Sequence, residues 1–138
     1  MKPSRAKLSR AAAIGAAVLL GVGGTAVAPA AALASPLDSC SVTAYTPQKS
    51  GNTITFSAVA ACTGHLAVHQ YAVLRYRNGE RQGWTSIKCV DTISCYGSTT
   101  QSDVDGNQEW CTVIEGSSYI PGYGGRSLAA KKCETNSW

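Results

Sequence analysis

Ala67-Val68-His69-Gln70-Tyr71-Ala72-Val73-Leu74-Arg75-Tyr76-Arg77-Asn78-Gly79-Glu80 is the stretch on which the fold reading turns. Val68, Tyr71, Val73 and Tyr76 recur along it, and Asn-Gly closes it. Asn-Gly between apolar runs is the strongest short hairpin signal, because a two-residue type I′ turn needs positive φ at both central positions. A helix over 65–77 would need a capping residue and a 3.6-residue period, and the run shows neither. A two-residue turn at 78–79 pairs Arg77 with Glu80, Leu74 with Gly83, Val73 with Trp84 and Val68 with Cys89. One face then carries Val68, Gln70, Ala72, Leu74 and Tyr76 with Ile87 and Cys89, and is expected to face the core. The other carries His69, Tyr71, Val73, Arg75 and Arg77 with Glu80, Gln82, Trp84 and Lys88, and is expected to face water.

Upstream, Ile54, Phe56, Ala58, Ala60 and Cys62 alternate with Thr53, Thr55, Ser57, Val59 and Ala61, the period-two pattern of a half-buried strand. Cys40 and Cys62 are equidistant from Gly51, within the turn-forming run Gln48-Lys49-Ser50-Gly51-Asn52. A hairpin there places Cys40, Val42 and Ala44 opposite Cys62, Ala60 and Ala58, all on one face. Cys111 and Cys133 are likewise equidistant from Gly122, and Cys89 and Cys95 flank residues 90–94. Opposed residues on antiparallel strands lie about 4.5–5.5 Å apart at Cα, within disulfide reach. The expected pairing is therefore sequential: 40–62, 89–95 and 111–133. The rival is nested, with 40–133, 62–111 and 89–95. In the chain-entropy view each longer bridge adds roughly 3 kcal/mol. The last hairpin sets Val113 against Lys131, an awkward pairing from which a bulge or a shifted register is expected.

Segments 95–101, 108–115 and 127–133 are further strand candidates. About seven short strands, frequent turns and no mature helix give an all-β class, a β-sandwich with three disulfides.

The chain has 138 residues, with 12 Lys+Arg and 8 Asp+Glu. Lys2, Arg5, Lys7 and Arg10 supply four of the positive charges, and no acid precedes Asp38. The net charge of +4 thus belongs to the first 34 residues, and the rest is neutral. A neutral domain lacks the positive field that nucleic-acid binding needs. After the basic segment, residues 11–28 run apolar, and Ala32-Leu33-Ala34 presents small residues to a signal peptidase. The expected division is a signal peptide over 1–34 and a secreted domain over 35–138, extracellular and free of the membrane after cleavage. Even cysteine numbers in a small exported domain read as disulfides.

The Ala/Gly-rich leader is similar to those of actinobacterial secreted proteins. Gly106-Asn107-Gln108-Glu109-Trp110-Cys111 resembles the late cysteine strand of immunoglobulin-like domains. In that pattern Tyr stands two residues before the cysteine, where this chain has Glu109, and a Trp follows the early cysteine at a set distance, at which none follows Cys62. The resemblance is to small actinobacterial secreted disulfide-rich proteins with an immunoglobulin-like β-sandwich. It implies that architecture with a disulfide plan of its own.

No nucleophile elbow, zinc-protease helix, phosphate loop or Cys-x-x-Cys motif occurs, so no cofactor, metal or catalytic residue is assigned. On a strand His65 and His69 are about 13 Å apart and cannot share a metal. His69, Glu80 and Arg77 are the types a secreted ribonuclease would use. The hairpin separates His69 from Glu80 by roughly 26 Å. Asp103-Val104-Asp105-Gly106-Asn107-Gln108-Glu109 spaces oxygen side chains as a calcium loop would. The glycine and distal glutamate of an EF-hand are replaced by Gln108 and Ile114, so the run reads as a solvated turn. Two features suggest binding. Tyr71, Arg75, Arg77 and Trp84 would share the outer hairpin face, with side chains common in interface hot spots. The 116–125 segment, with Tyr119 and Tyr123, has the Tyr/Ser/Gly composition of adaptable recognition loops. The expected function is a secreted non-catalytic binding protein, its partner an extracellular protein, a cell-wall glycan or a hydrolase it inhibits. The alternative is a small secreted hydrolase or toxin.

Overall fold

The computed structural model describes residues 33–137, without the side chains of 136 and 137. The expected signal peptide over 1–34, apart from Leu33 and Ala34, lies outside the described residues. Eight strands follow a one-turn 3₁₀ segment at Pro36–Ser39: β1 Cys40–Ala44, β2 Gln48–Ser50, β3 Thr53–Cys62, β4 Ala67–Arg77, β5 Glu80–Thr92, β6 Ser94–Ser102, β7 Asn107–Ile120 and β8 Gly124–Ser137. They form two four-stranded antiparallel sheets. In the first, β1 and β2 share one edge of β3 and β6 takes the other. In the second the order is β5-β4-β7-β8. The class is all-β, a two-sheet sandwich.

The β1–β3 hairpin forms in the expected register, Cys40 facing Cys62 and Ala44 facing Ala58. Nearer the turn Gln48 faces Thr55, so β1 spends one more residue than β3 between these pairs. That residue is absorbed at Tyr45-Thr46-Pro47, where Pro47 is buried and cannot donate to the ladder. The break divides the expected single strand into β1 and β2.

The Asn78-Gly79 turn also forms as read, with φ of 50° and 83° and Arg77 facing Glu80. The register beyond it does not hold. Tyr76 faces Arg81 but Arg75 faces Gly83, so Gln82 is an extra residue on β5. Leu74 therefore faces Trp84, and His69 faces Cys89. On β4, Ala67, His69, Tyr71 and Val73 point into the sandwich, with Tyr71 only 3% exposed. The expected core face of β4 is thus its outer face, although Leu74 on it is buried as expected, 5% exposed, and Ile87 and Cys89 of β5 pack inward as expected. The one-residue slip accounts for both outcomes, since side chains alternate with period two.

Two glycines make room for Tyr71. A Cβ on Gly116 would stand 2.3 Å from the Tyr71 Cβ, and one on Gly97 would stand 2.9 Å from its hydroxyl. The Tyr71 hydroxyl crosses the sandwich and donates to the Cys95 carbonyl of β6 at 2.8 Å. Around it Ile54, Phe56, Val73, Trp110 and Ile114 form the core. Phe56 and Trp110 meet edge to face across the two sheets, their centroids 5.8 Å apart.

All three disulfides match the sequential pairing. Two join facing residues of neighbouring strands, at Cα separations of 3.9 and 4.0 Å. Cys89–Cys95 is not a hairpin pair. It ties β5 of one sheet to β6 of the other at the corner between them. The β7–β8 hairpin runs in unbroken register through Val113 and Lys131, so the expected bulge is not formed. Disulfides of this number belong to an oxidising, extracellular-type environment. Among the described residues no helix is long and apolar enough to cross a membrane.

Candidate functional site

The groups with catalytic chemistry are dispersed or sealed. His69 is fully buried. Its Nε2 lies 3.2 Å from the Thr92 carbonyl, which only accepts, so Nε2 carries the proton. Its Nδ1 then accepts from the Ser118 hydroxyl at 2.7 Å. This is a Ser–His pair, but Ser118 is as buried as His69, and no substrate reaches the hydroxyl. Arg77 and Glu80 lie beside the turn at the other end of β4, as the sequence reading placed them. The Arg77 guanidinium stands over Trp110, 5.8 Å from the ring centre.

In the 103–109 turn, Gln108 Nε2 donates to the carbonyls of Val104 and Asp105 at 2.7 and 3.2 Å. Asp103 is paired with the Lys49 ammonium. Asp103 Oδ1 and Gln108 Oε1 are buried without a hydrogen-bond partner. Among the described residues the cluster with metal-ligand types is Glu109, Cys111 and Cys133, whose two sulfurs are joined to each other.

The proposed outer hairpin face is divided by the bulge. Trp84 is 58% exposed on the outer face of the second sheet, with the Arg81 guanidinium 5.3 Å from its ring centre. Tyr71 lies on the opposite side, inside the core. Arg75 also turns inward and donates to the Thr99 hydroxyl of β6. Its guanidinium fills the space over Gly83, where a Cβ would collide with it. Tyr71, Arg75 and Trp84 therefore do not form one surface. Residues 116–125 are not a loop. β7 continues to Ile120, β8 starts at Gly124, and the connection is a tight turn. Tyr119 and Tyr123 are exposed at that end of the hairpin.

Sequence reading overlooked the outer face of the first sheet. Its outward positions are Ser41 and Thr43 on β1, Gln48 and Ser50 on β2, Thr53, Thr55, Ser57, Val59 and Ala61 on β3, and Ser94, Tyr96, Ser98, Thr100 and Ser102 on β6. None carries a charge. Lys49, the one charged residue on these four strands, is paired with Asp103. Tyr45, at the β1–β2 break, donates its backbone N–H to Ser57 at 3.0 Å, which seats it on one flank of β3. Tyr96 faces Val59 on the other flank. The two rings, 44% and 62% exposed, border a groove of about 470 Å³ that Thr46, Gln48 and Ser57 also line. The second sheet has a smaller depression of about 330 Å³, and Glu115 puts a carboxylate in its lining. Tyr45-Thr46-Pro47 was the available signal, since proline beside an aromatic in a strand pattern marks an edge break.

The sequence matches no protein-family model and no curated protein.

Proposed function

We propose that this chain is exported by the leader over residues 1–34 and that residues 35–138 act outside the cell as a non-catalytic binding domain. In this reading the sandwich is immunoglobulin-like in layout, with its disulfides laid along hairpins and at one corner. The groove between Tyr45 and Tyr96 carries the reading. Exposed tyrosines offer broad, rigid contact area at small entropic cost, and they border a concavity of about 470 Å³ on the outer face of the first sheet. The Ser–His pair, by contrast, is sealed inside.

The test is quantitative capture from culture supernatant and from cell-envelope material, with wild type, a Tyr45→Ala/Tyr96→Ala double variant and Trp84→Ala. The double variant should lose the captured material while its melting temperature stays close to wild type. Undiminished capture by the double variant overturns the groove as the site. Loss with Trp84→Ala alone moves the site to the second sheet.

A further inference from the structure

We propose that the groove on the first sheet takes an uncharged glycan chain. This rests on the binding reading above and adds the class of ligand. Three observations converge on it. The first is charge. No outward residue of β1, β2, β3 or β6 is ionised, and the Lys49 ammonium is held by Asp103. An anionic or cationic ligand lying on this face would give up hydration without gaining a counter-charge, which is costly. A neutral ligand meets no such penalty.

The second is the arrangement of the rings. Tyr45 and Tyr96 stand on opposite flanks of β3 with Ser57 between them. A pyranose has one face of C–H bonds and a rim of hydroxyls. Aromatic faces take the first, since each ring offers apolar area and a negative π surface. The third is the polar lining. Thr46, Gln48 and Ser57 each both donate and accept hydrogen bonds, and so does every sugar hydroxyl. A row of hydroxyl side chains beyond the groove, including Thr55 and Ser98, continues the same chemistry along the sheet.

The test is calorimetric titration of the disulfide-bonded protein with four neutral hexasaccharides: chitohexaose, cellohexaose, laminarihexaose and maltohexaose. A heparin hexasaccharide serves as the charged probe. At least one neutral hexasaccharide should bind with a dissociation constant below about 1 mM, the usual upper bound for a specific weak site. Tyr45→Ala and Tyr96→Ala should each weaken it at least tenfold, Trp84→Ala should leave it within twofold, and heparin should not bind. Circular dichroism and melting curves show that the variants are folded. The inference is overturned if none of the four neutral chains binds, if heparin binds at the groove, or if Trp84→Ala abolishes binding and the tyrosine variants do not. If the neutral chains fail while the double tyrosine variant still loses its captured partner, the binding reading stands and the glycan assignment falls.

Discussion

The two outer faces of this sandwich are built from the same alternating strands and differ in chemistry. The first sheet shows hydroxyls, an amide and two tyrosine rings, with no charge. The second shows Arg81, Lys88, Glu115 and Lys131 and the exposed Trp84 indole. Both back onto one shared core in which Phe56 of β3 meets Trp110 of β7. The difference shows where selection by folding stops. Inward positions are fixed by packing, while outward positions could take ordinary charged residues for solubility. The second sheet uses them and the first does not. The charge-free first face is the feature on which the proposed neutral ligand rests.

The sharpest way to break this comparison is to damage what the faces share. Trp110→Ala, at a fully buried site, should lower unfolding free energy by about 3–5 kcal/mol, read by urea titration. A cost below about 1 kcal/mol would mean that the sheets do not share this core. Next comes the Tyr71 strut. Burial pushes its phenol from the ordinary 10 up to about 12, with Tyr96 adding to the effect. Below pH 10 both folded and unfolded chains keep the proton, and stability is complete. Between pH 10 and 12 only the unfolded chain releases it. Stability should then fall by about 1.4 kcal/mol per pH unit, roughly 2–3 kcal/mol in all. Tyr71→Phe should abolish this slope, at a cost of about 1 kcal/mol at neutral pH for the hydrogen bond to Cys95.

Gly116→Ala tests the close approach of β4 and β7 beneath the second face. A methyl would press on the Gln70 carbonyl and the Tyr71 backbone at 2.4–2.5 Å, so a loss of about 1–3 kcal/mol is expected. At Gly125 in the same hairpin a Cβ would meet only ordinary contacts, with the Ser118 carbonyl at 3.7 Å and the Tyr119 ring at 3.9 Å, so Gly125→Ala should stay within about 0.5 kcal/mol. The smallest stability effects belong to the faces themselves. Tyr45→Ala, Tyr96→Ala and Trp84→Ala should each shift unfolding free energy by about 0.5 kcal/mol or less. Differential scanning calorimetry reads this directly, and a large loss at Tyr96 would make it a packing residue instead.

Much of the fold was legible because local signals agreed. Asn78-Gly79 specified its turn, and the spacing of cysteines about Gly51 and Gly122 specified two hairpins and their bridges. The errors came from single residues. Gln82 is an inserted residue that no periodicity count detects, and Gly83 beside it was the hint, since a lone glycine in a strand often marks a bulge. That slip moved Trp84 to the face of Leu74. On β4 both faces hold apolar groups, so counting favoured Leu74 and Tyr76 over Tyr71 and Val73. The choice was made by partners distant in sequence, Gly97 and Gly116, which leave space for one tyrosine. The Tyr45–Tyr96 groove was illegible for the same reason. Its two rings are about fifty residues apart and border one groove only because the β1–β2 segment and β6 take opposite edges of β3.

The short turn before β1 has a bearing on the proposed cleavage after Ala34. Ser35 caps it, its side chain receiving the Leu37 N–H and its own backbone nitrogen lying 3.2 Å from the Asp38 carboxylate. In the uncut chain that nitrogen is a neutral amide. Removal of residues 1–34 would make it the α-ammonium of the new terminus, already facing a carboxylate. Peptide-bond cleavage would thus convert a hydrogen bond into an ion pair in place. The finished end of the protein would be held down by the charge that its own processing creates.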